Sequence, residues 1–142
     1  MRIAVIAALL VPLAATAVVA QSDVIQARKA LMKDMGDQTK VAGAMAKGDA
    51  PFDAAKAAAI FKSYTDDGAK FGTLFPAGSE TGDTKAAPAI WSGRAGFDAA
   101  LAKFKGDVAA NIGKIGTQAG FKTAMAAVGD NCRTCHQTYR VR

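Results

Sequence analysis

Histidine occurs once in this chain and cysteine twice. That count excludes a scaffold dense in disulfides, the usual solution for small secreted domains. It also argues against a structural zinc site, which takes four Cys or His ligands where this chain has three. Aromatic residues make up only 7%. Past Gln21, β-branched runs are missing and no segment alternates apolar with polar residues as a half-buried strand does. Lys and Arg number 18 against 12 Asp and Glu, a formal charge of +6. The basic residues form no run and have no interleaved aromatics, so the electrostatic footprint of a nucleic-acid binder is missing. A solvated lysine face is the reading they support.

The scarce residues are collected in one pentapeptide, Cys132-Arg133-Thr134-Cys135-His136. Cys-x-x-Cys-His is the spacing of covalent attachment of a c-type haem. On a helix, residues three apart share a face, so both thiols reach the vinyl groups of one porphyrin. The adjacent imidazole then supplies the proximal iron ligand. A thioredoxin-like dithiol would need a strand before the motif and a helix starting at it. Here the motif closes a helical pattern, where the helix dipole disfavours a thiolate. A structural disulfide is a poor alternative, because the loop between the cysteines is too short to constrain the chain.

The N-terminus points to export. Met1-Arg2 is a short positive start, Ile3 to Leu13 is apolar except for Pro12, and small residues lead to Val18-Val19-Ala20. This predicts a cleaved signal peptide over residues 1–20, with Ala17 as the second choice of cleavage site. A membrane anchor is the competing reading, but the stretch from Ile3 to Ala20 barely spans a bilayer and contains a proline. Residues 21–142 then form a single exported domain, placed in the periplasm where c-type maturation operates.

From Gln21 onward the pattern is all-α. Punctuation predicts four helices. The first starts near Ser22 or Asp23 and ends by Lys47-Gly48, with Val24, Ala27, Leu31, Met35, Ala42 and Met45 as its apolar stripe. Ile25, Arg28 and Met32 lie on the neighbouring row. The second is capped by Asp53, turns Ala57, Ile60, Phe61, Tyr64 and Phe71 inward, and is stopped by Pro76. A turn-rich loop, the longest and most mobile connection, follows to Thr84. The third helix begins around Pro88, repeats Phe97, Leu101, Phe104, Val108 and Ile112, and breaks at Gly113 and Gly116. The fourth runs from about Thr117 to Tyr139, with Phe121, Met125, Val128, Cys132, Cys135 and Tyr139 on one face. Four amphipathic helices with short links make an up-down-up-down bundle, a common frame for cofactor sites built from facing helices.

In that topology the first and last helices are antiparallel neighbours. A group facing the haem opposite His136 therefore comes from roughly residues 25 to 36. Met45 lies about 20 Å beyond Met32 along the axis, and Met125 shares a helix with His136, so neither competes. Leu31, Met32 and Met35 remain. Methionine opposite histidine is a recognised c-type pair, while methionine on an apolar stripe is ordinarily core filler. Spacing leaves the choice open.

With these features in place, residues 21–142 resemble the class II c-type cytochromes, the cytochrome c′ family. The resemblance is carried by Cys132 through Arg140, by Leu74-Phe75-Pro76, by Ala89-Ile90-Trp91 and by Arg28-Lys29-Ala30-Leu31-Met32-Lys33. It implies one covalently bound haem c, held through Cys132 and Cys135 with His136 on the iron. It further implies that Met32, four residues after Arg28, is the distal ligand, as in the low-spin branch, leaving Met35 to packing. Arg28 is implied near a haem propionate, and Arg140, beside Tyr139, at the haem edge. Trp91 is expected to pack on the core or the haem edge. The implied function is single-electron transfer between periplasmic redox donor and acceptor proteins, by a monomer or homodimer with no nucleic-acid or, after leader cleavage, membrane partner. No residue is expected to perform enzyme chemistry. The alternative within the family is the high-spin, five-coordinate branch, which binds NO or CO.

Overall fold

The computed structural model describes residues 14–142, with side chains from Gln21 onward. The expected leader, residues 1–20, lies outside the described side chains. Every regular element is helical: α1 (Ala14–Lys47), α2 (Ala54–Phe71), α3 (Ala89–Ser92), α4 (Arg94–Asn111) and α5 (Gln118–Tyr139). Short 3-10 turns, Gly72–Leu74 and Ile112–Lys114, follow α2 and α4. The long helices pack in cyclic order, α1 on α2, α2 on α4, α4 on α5 and α5 back on α1. This is the expected four-helix bundle.

Local chemistry sets the ends. At the end of α1, Gly48 adopts φ +87°, a conformation that favours glycine. The Gly48 and Asp49 amides return to Met45 O at 3.3 Å and Ala44 O at 2.9 Å, the paired bonds of a Schellman stop. The Asp53 carboxylate accepts from the Lys56 amide at 3.0 Å and caps α2. The Thr117 hydroxyl accepts from the Gly120 amide at 3.2 Å and caps α5. Both are side-chain caps satisfying orphan first-turn donors.

Four expectations are corrected. α1 does not begin at Ser22 or Asp23 but runs through them from Ala14, because no breaker separates the small residues before Gln21 from the helix after it. α2 ends at Phe71, short of Pro76, and tightens into the first 3-10 turn. The third helix is two elements: α3 turns once after Pro88, and the chain bends at Gly93 (φ −126°, ψ 44°) before α4. Ile112 is not in the core. It is 48% exposed on the second 3-10 turn, and Ile115 is buried in its place, since the tighter turn rotates the side chains out of the α-helical register.

Two apolar clusters fill the interior. The larger contains Met45, Ile60, Phe61, Tyr64, Phe104, Val108, Phe121, Met125 and Val128, with Met35, Leu101 and Cys132 packed against it. The smaller contains Phe75, Ile90 and Phe97, with Phe71, Leu74, Trp91 and Tyr139 against it. On α1 the buried row near the start is Ile25 and Arg28, while Val24, Ala27 and Leu31 are only half-buried. The long loop after Pro76 is laced to α1. Arg28 Nη2 donates to Ser79 O at 2.8 Å, Gln21 Nε2 to Thr81 O at 2.9 Å, and Lys29 pairs with Asp83 at 2.5 Å. Its far end makes an antiparallel bridge, Ala86 to Arg140, with the end of α5.

Candidate functional site

Cys132 and Cys135 sit one turn apart near the end of α5, both half-buried and both free thiols. Burial pushes both thiols above their usual range, and Cys132 adds to the effect on Cys135. They are therefore protonated at neutral pH, which is unsuited to thiolate exchange and compatible with addition to a vinyl group. Burial, then the charge of Arg140, pushes the His136 imidazole below its usual range. A neutral imidazole keeps the lone pair that binds iron.

Facing this stretch of α5 is α1. Met35 and Cys132 pack against the same large cluster. One end of the site further on, Arg28 stacks over Phe75 of the small cluster, against which Tyr139 also packs. Met35 and Arg28 thus mark the two ends of the α1 stretch that runs beside the end of α5. That stretch contains Leu31 and Met32, both half-buried. Met35 serves the large cluster, whereas Met32 packs with neither cluster.

Arg28 is 4% exposed. Its guanidinium lies 4.8 Å from the Phe75 ring centre and 5.5 Å from that of Trp91. Trp91 is fixed in turn by its Nε1 donating to Pro76 O at 3.1 Å and by a T-shaped contact with Phe75 at 5.7 Å. Of the guanidinium nitrogens only Nη2 has a partner, and Nε and Nη1 are buried without one. Burial lowers the Arg28 pKa, and nearby Glu80 opposes this. Unspent buried donors are costly, and an anionic acceptor such as a carboxylate suits them. The residues therefore fit a covalently held porphyrin: two thiols on one face, a neutral imidazole beside them, and a buried cation with two unpartnered nitrogens to turn toward a carboxylate. Arg140 is exposed, its backbone held by the bridge to Ala86.

Three features of the site carry no sequence signal of their own. The Ser79 carbonyl that fixes Arg28 lies in the long loop. The Tyr64 hydroxyl, 2.8 Å from Thr39 Oγ1, ties α2 to α1 beneath Cys132. Asn131 Nδ2 donates to Asp107 Oδ2 at 2.6 Å, tying α5 to α4 one residue before Cys132. Backbone carbonyls and interhelical partners of this kind depend on the tertiary fold, which spacing does not encode.

Comparison with known proteins agrees with this construction. Residues 23–140 match the family described as Cytochrome C′. The cytochrome c′ of Rhodopseudomonas palustris (strain ATCC BAA-98 / CGA009) is 43% identical over 143 residues, covering 100% of this chain and 97% of that protein. A cytochrome c-556 of Agrobacterium fabrum (strain C58 / ATCC 33970) is 41% identical over 119 residues, covering 83% of this chain and 81% of that one. Among solved structures, a cytochrome c′ from Rhodopseudomonas palustris superposes with a TM-score of 0.80 at 42% identity, covering 84% of this chain and 97% of that chain.

Proposed function

This chain belongs to the cytochrome c′ family, and on that footing we propose that it is an exported monohaem electron carrier with His136 and Met32 as axial ligands. Bound at this site, haem c supplies a one-electron ferric–ferrous couple. The Cys132 and Cys135 thiols would hold the haem as thioethers through its two vinyl groups, an addition that needs no oxidant. His136 would offer a neutral imidazole to the iron, and Met32 a thioether from the facing helix. Arg28, clamped by Ser79, Phe75 and Trp91, would offer an unpartnered guanidinium nitrogen to a propionate. Arg140 places a positive charge at the exposed edge.

The observation that carries the reading is the division of labour between two methionines one turn apart. Met35 packs against the core, while Met32, on the same stretch of α1, is half-buried and belongs to neither cluster. Relatives named cytochrome c′ and cytochrome c-556 both resemble the chain, so the placement of Met32 supports the six-coordinate reading. Held by both His136 and Met32, haem would supply electron transfer with no site left open to a substrate. This reading assigns the site residues no acid–base or nucleophilic work on a substrate, and the partners that fit it are redox donor and acceptor proteins of the periplasm. The leader over residues 1–20 belongs to this proposal.

The test is the visible absorption spectrum of wild type and Met32→Ala, oxidised and reduced, made in a host competent for c-type maturation. The expected result is a sharp α-band in the reduced wild type that is lost in the variant. A broad high-spin spectrum, shifted by CO and indifferent to the substitution, would assign Met32 to packing and the protein to the gas-binding branch. No haem spectrum would refute the site.

A further inference from the structure

Gly96 stands in the first turn of α4, although glycine is among the weakest helix formers. A Cβ at that position would lie 2.8 Å from the Tyr139 hydroxyl, with nothing else within 4 Å beyond its own turn. The space left by the missing side chain is therefore taken by one atom of one residue. Tyr139 closes α5, three residues after His136 and four after Cys135. Its ring meets Phe97, the residue after Gly96, edge-on at 5.4 Å. Its carbonyl accepts the Ala87 amide at 3.0 Å, and the next bond of that ribbon runs from the Val141 amide to Lys85 O at 2.9 Å. The last turn of the helix bearing His136 is thus pinned on one side by the loop. On the other it reaches α4 through a hydroxyl that lies where a side chain at 96 would begin.

We propose that Gly96 and Tyr139 form a seat that sets the orientation of His136, making both positioning residues for the electron-transfer site. The inference rests on the reading of His136 as the iron ligand. Residues three and four apart in a helix lie over one another, so a push on Tyr139 tilts the turn carrying Cys135 and His136 together. The orientation of a ligating imidazole tunes the metal it holds. The seat therefore acts on the reduction potential through backbone geometry, with no contact to the iron.

The experiment compares wild type, Gly96→Ala, Tyr139→Phe and the double variant as haem-loaded full-length protein. Reduction potential is read by spectroelectrochemical titration, and melting temperature is measured alongside it. Gly96→Ala is expected to move the potential, because its methyl displaces the hydroxyl. Tyr139→Phe alone, which empties the seat but keeps the ring on Phe97, is expected to move the potential less than Gly96→Ala does, and a wild-type potential in it overturns the seat. The double variant is expected to match Tyr139→Phe, since without the hydroxyl the new methyl meets nothing within 4 Å. If Gly96→Ala fails to take up haem, normal loading of the double variant supports the seat just as well. A haem-loaded Gly96→Ala with wild-type potential, whatever its melting temperature, overturns the positioning role and leaves the His136 reading intact. A double variant that behaves like Gly96→Ala overturns it too. A wild type with no haem spectrum removes the underlying reading along with the inference, so the two failures are told apart.

Discussion

Arg28 and Tyr64 are buried almost equally, at 4% and 1% exposure, and they resolve their polar groups in opposite ways. Arg28 keeps two guanidinium nitrogens, Nε and Nη1, without a protein partner, a cost that an acceptor supplied by a ligand would offset. Tyr64 is satisfied within the chain. The Thr39 hydroxyl donates to Met35 O at 2.6 Å, leaving the Tyr64 hydroxyl to donate to Thr39 at 2.8 Å. Burial pushes the Tyr64 phenol up to about 12, against about 10 for an unfolded chain. Below the unfolded value both states hold the proton. As pH rises from about 10 to about 12 the unfolded chain loses it first, so the folded state loses about 2–3 kcal/mol of stability across that window. Tyr64→Phe is expected to abolish this alkaline slope while costing about 1 kcal/mol at neutral pH for the lost hydrogen bond. Urea unfolding on either side of the window checks both effects, and an unchanged slope in the variant would place the alkaline transition elsewhere.

At the scale of elements, the register of α5 matters most, because it carries both thiols and the imidazole. Asn131, buried and one residue before Cys132, donates to Asp107 Oδ2 at 2.6 Å and to Ala127 O at 2.9 Å. Asp107 also accepts from Lys103 at 2.6 Å. The Asn131 bond and then Lys103 hold the Asp107 carboxyl below the usual carboxylate range. A depressed carboxyl stabilises the fold above its unfolded pKa, and that contribution is lost as pH falls through the folded value. Asn131→Ala is therefore expected to be less stable than wild type at neutral pH, where the part-buried hydrogen bond to the charged carboxylate is intact. The two proteins should converge in strong acid, where wild type has lost the charged acceptor. Acid titration of thermal unfolding reads the convergence, and a constant gap down to low pH would assign the loss to packing alone. The same elements show what sequence encodes. Asp53 and Thr117 are caps with a local mechanism, so the starts of α2 and α5 were legible to within a residue. The pentapeptide was legible because its chemistry is local too. The start of α1 was not, since alanine-rich helix continues across Ser22 with nothing to stop it. The bend at Gly93 and the turning out of Ile112 were hidden for a different reason. Both depend on how α3 and the 3-10 turn settle on the rest of the bundle. Burial of Arg28 between Phe75 and Trp91 joins segments far apart in sequence, beyond any periodicity.

Across the whole molecule the positive charge is spread out. Many cations are consumed by neighbours three or four residues away, among them Lys33 with Asp37, Lys62 with Asp66, Lys103 with Asp107 and Arg133 with Asp130. Such exposed pairs support helices weakly and leave the surface solvated, as the scatter of lysines suggested. Among the described residues no helix is long and apolar enough to cross a membrane. The family match begins at residue 23, and the contacts of α1 with the loop begin at Gln21. As it stands, α1 has no acidic residue in its first turn. Cleavage after Ala20 would bring Asp23 into that turn, where a carboxylate interacts favourably with the helix dipole. It would also keep the Gln21 side chain on Thr81. Cleavage there would thus leave the described side-chain contacts of α1 in place and give the helix a better-matched end. Expressed with its own leader in a bacterium that matures c-type haem, the protein is expected in the periplasmic fraction as residues 21–142 with one haem. Intact-mass spectrometry of that fraction checks the cleavage point and the haem count in one reading. A haem-loaded chain still carrying residues 1–20 would show that haem attachment proceeds without leader removal and would end the signal-peptide reading.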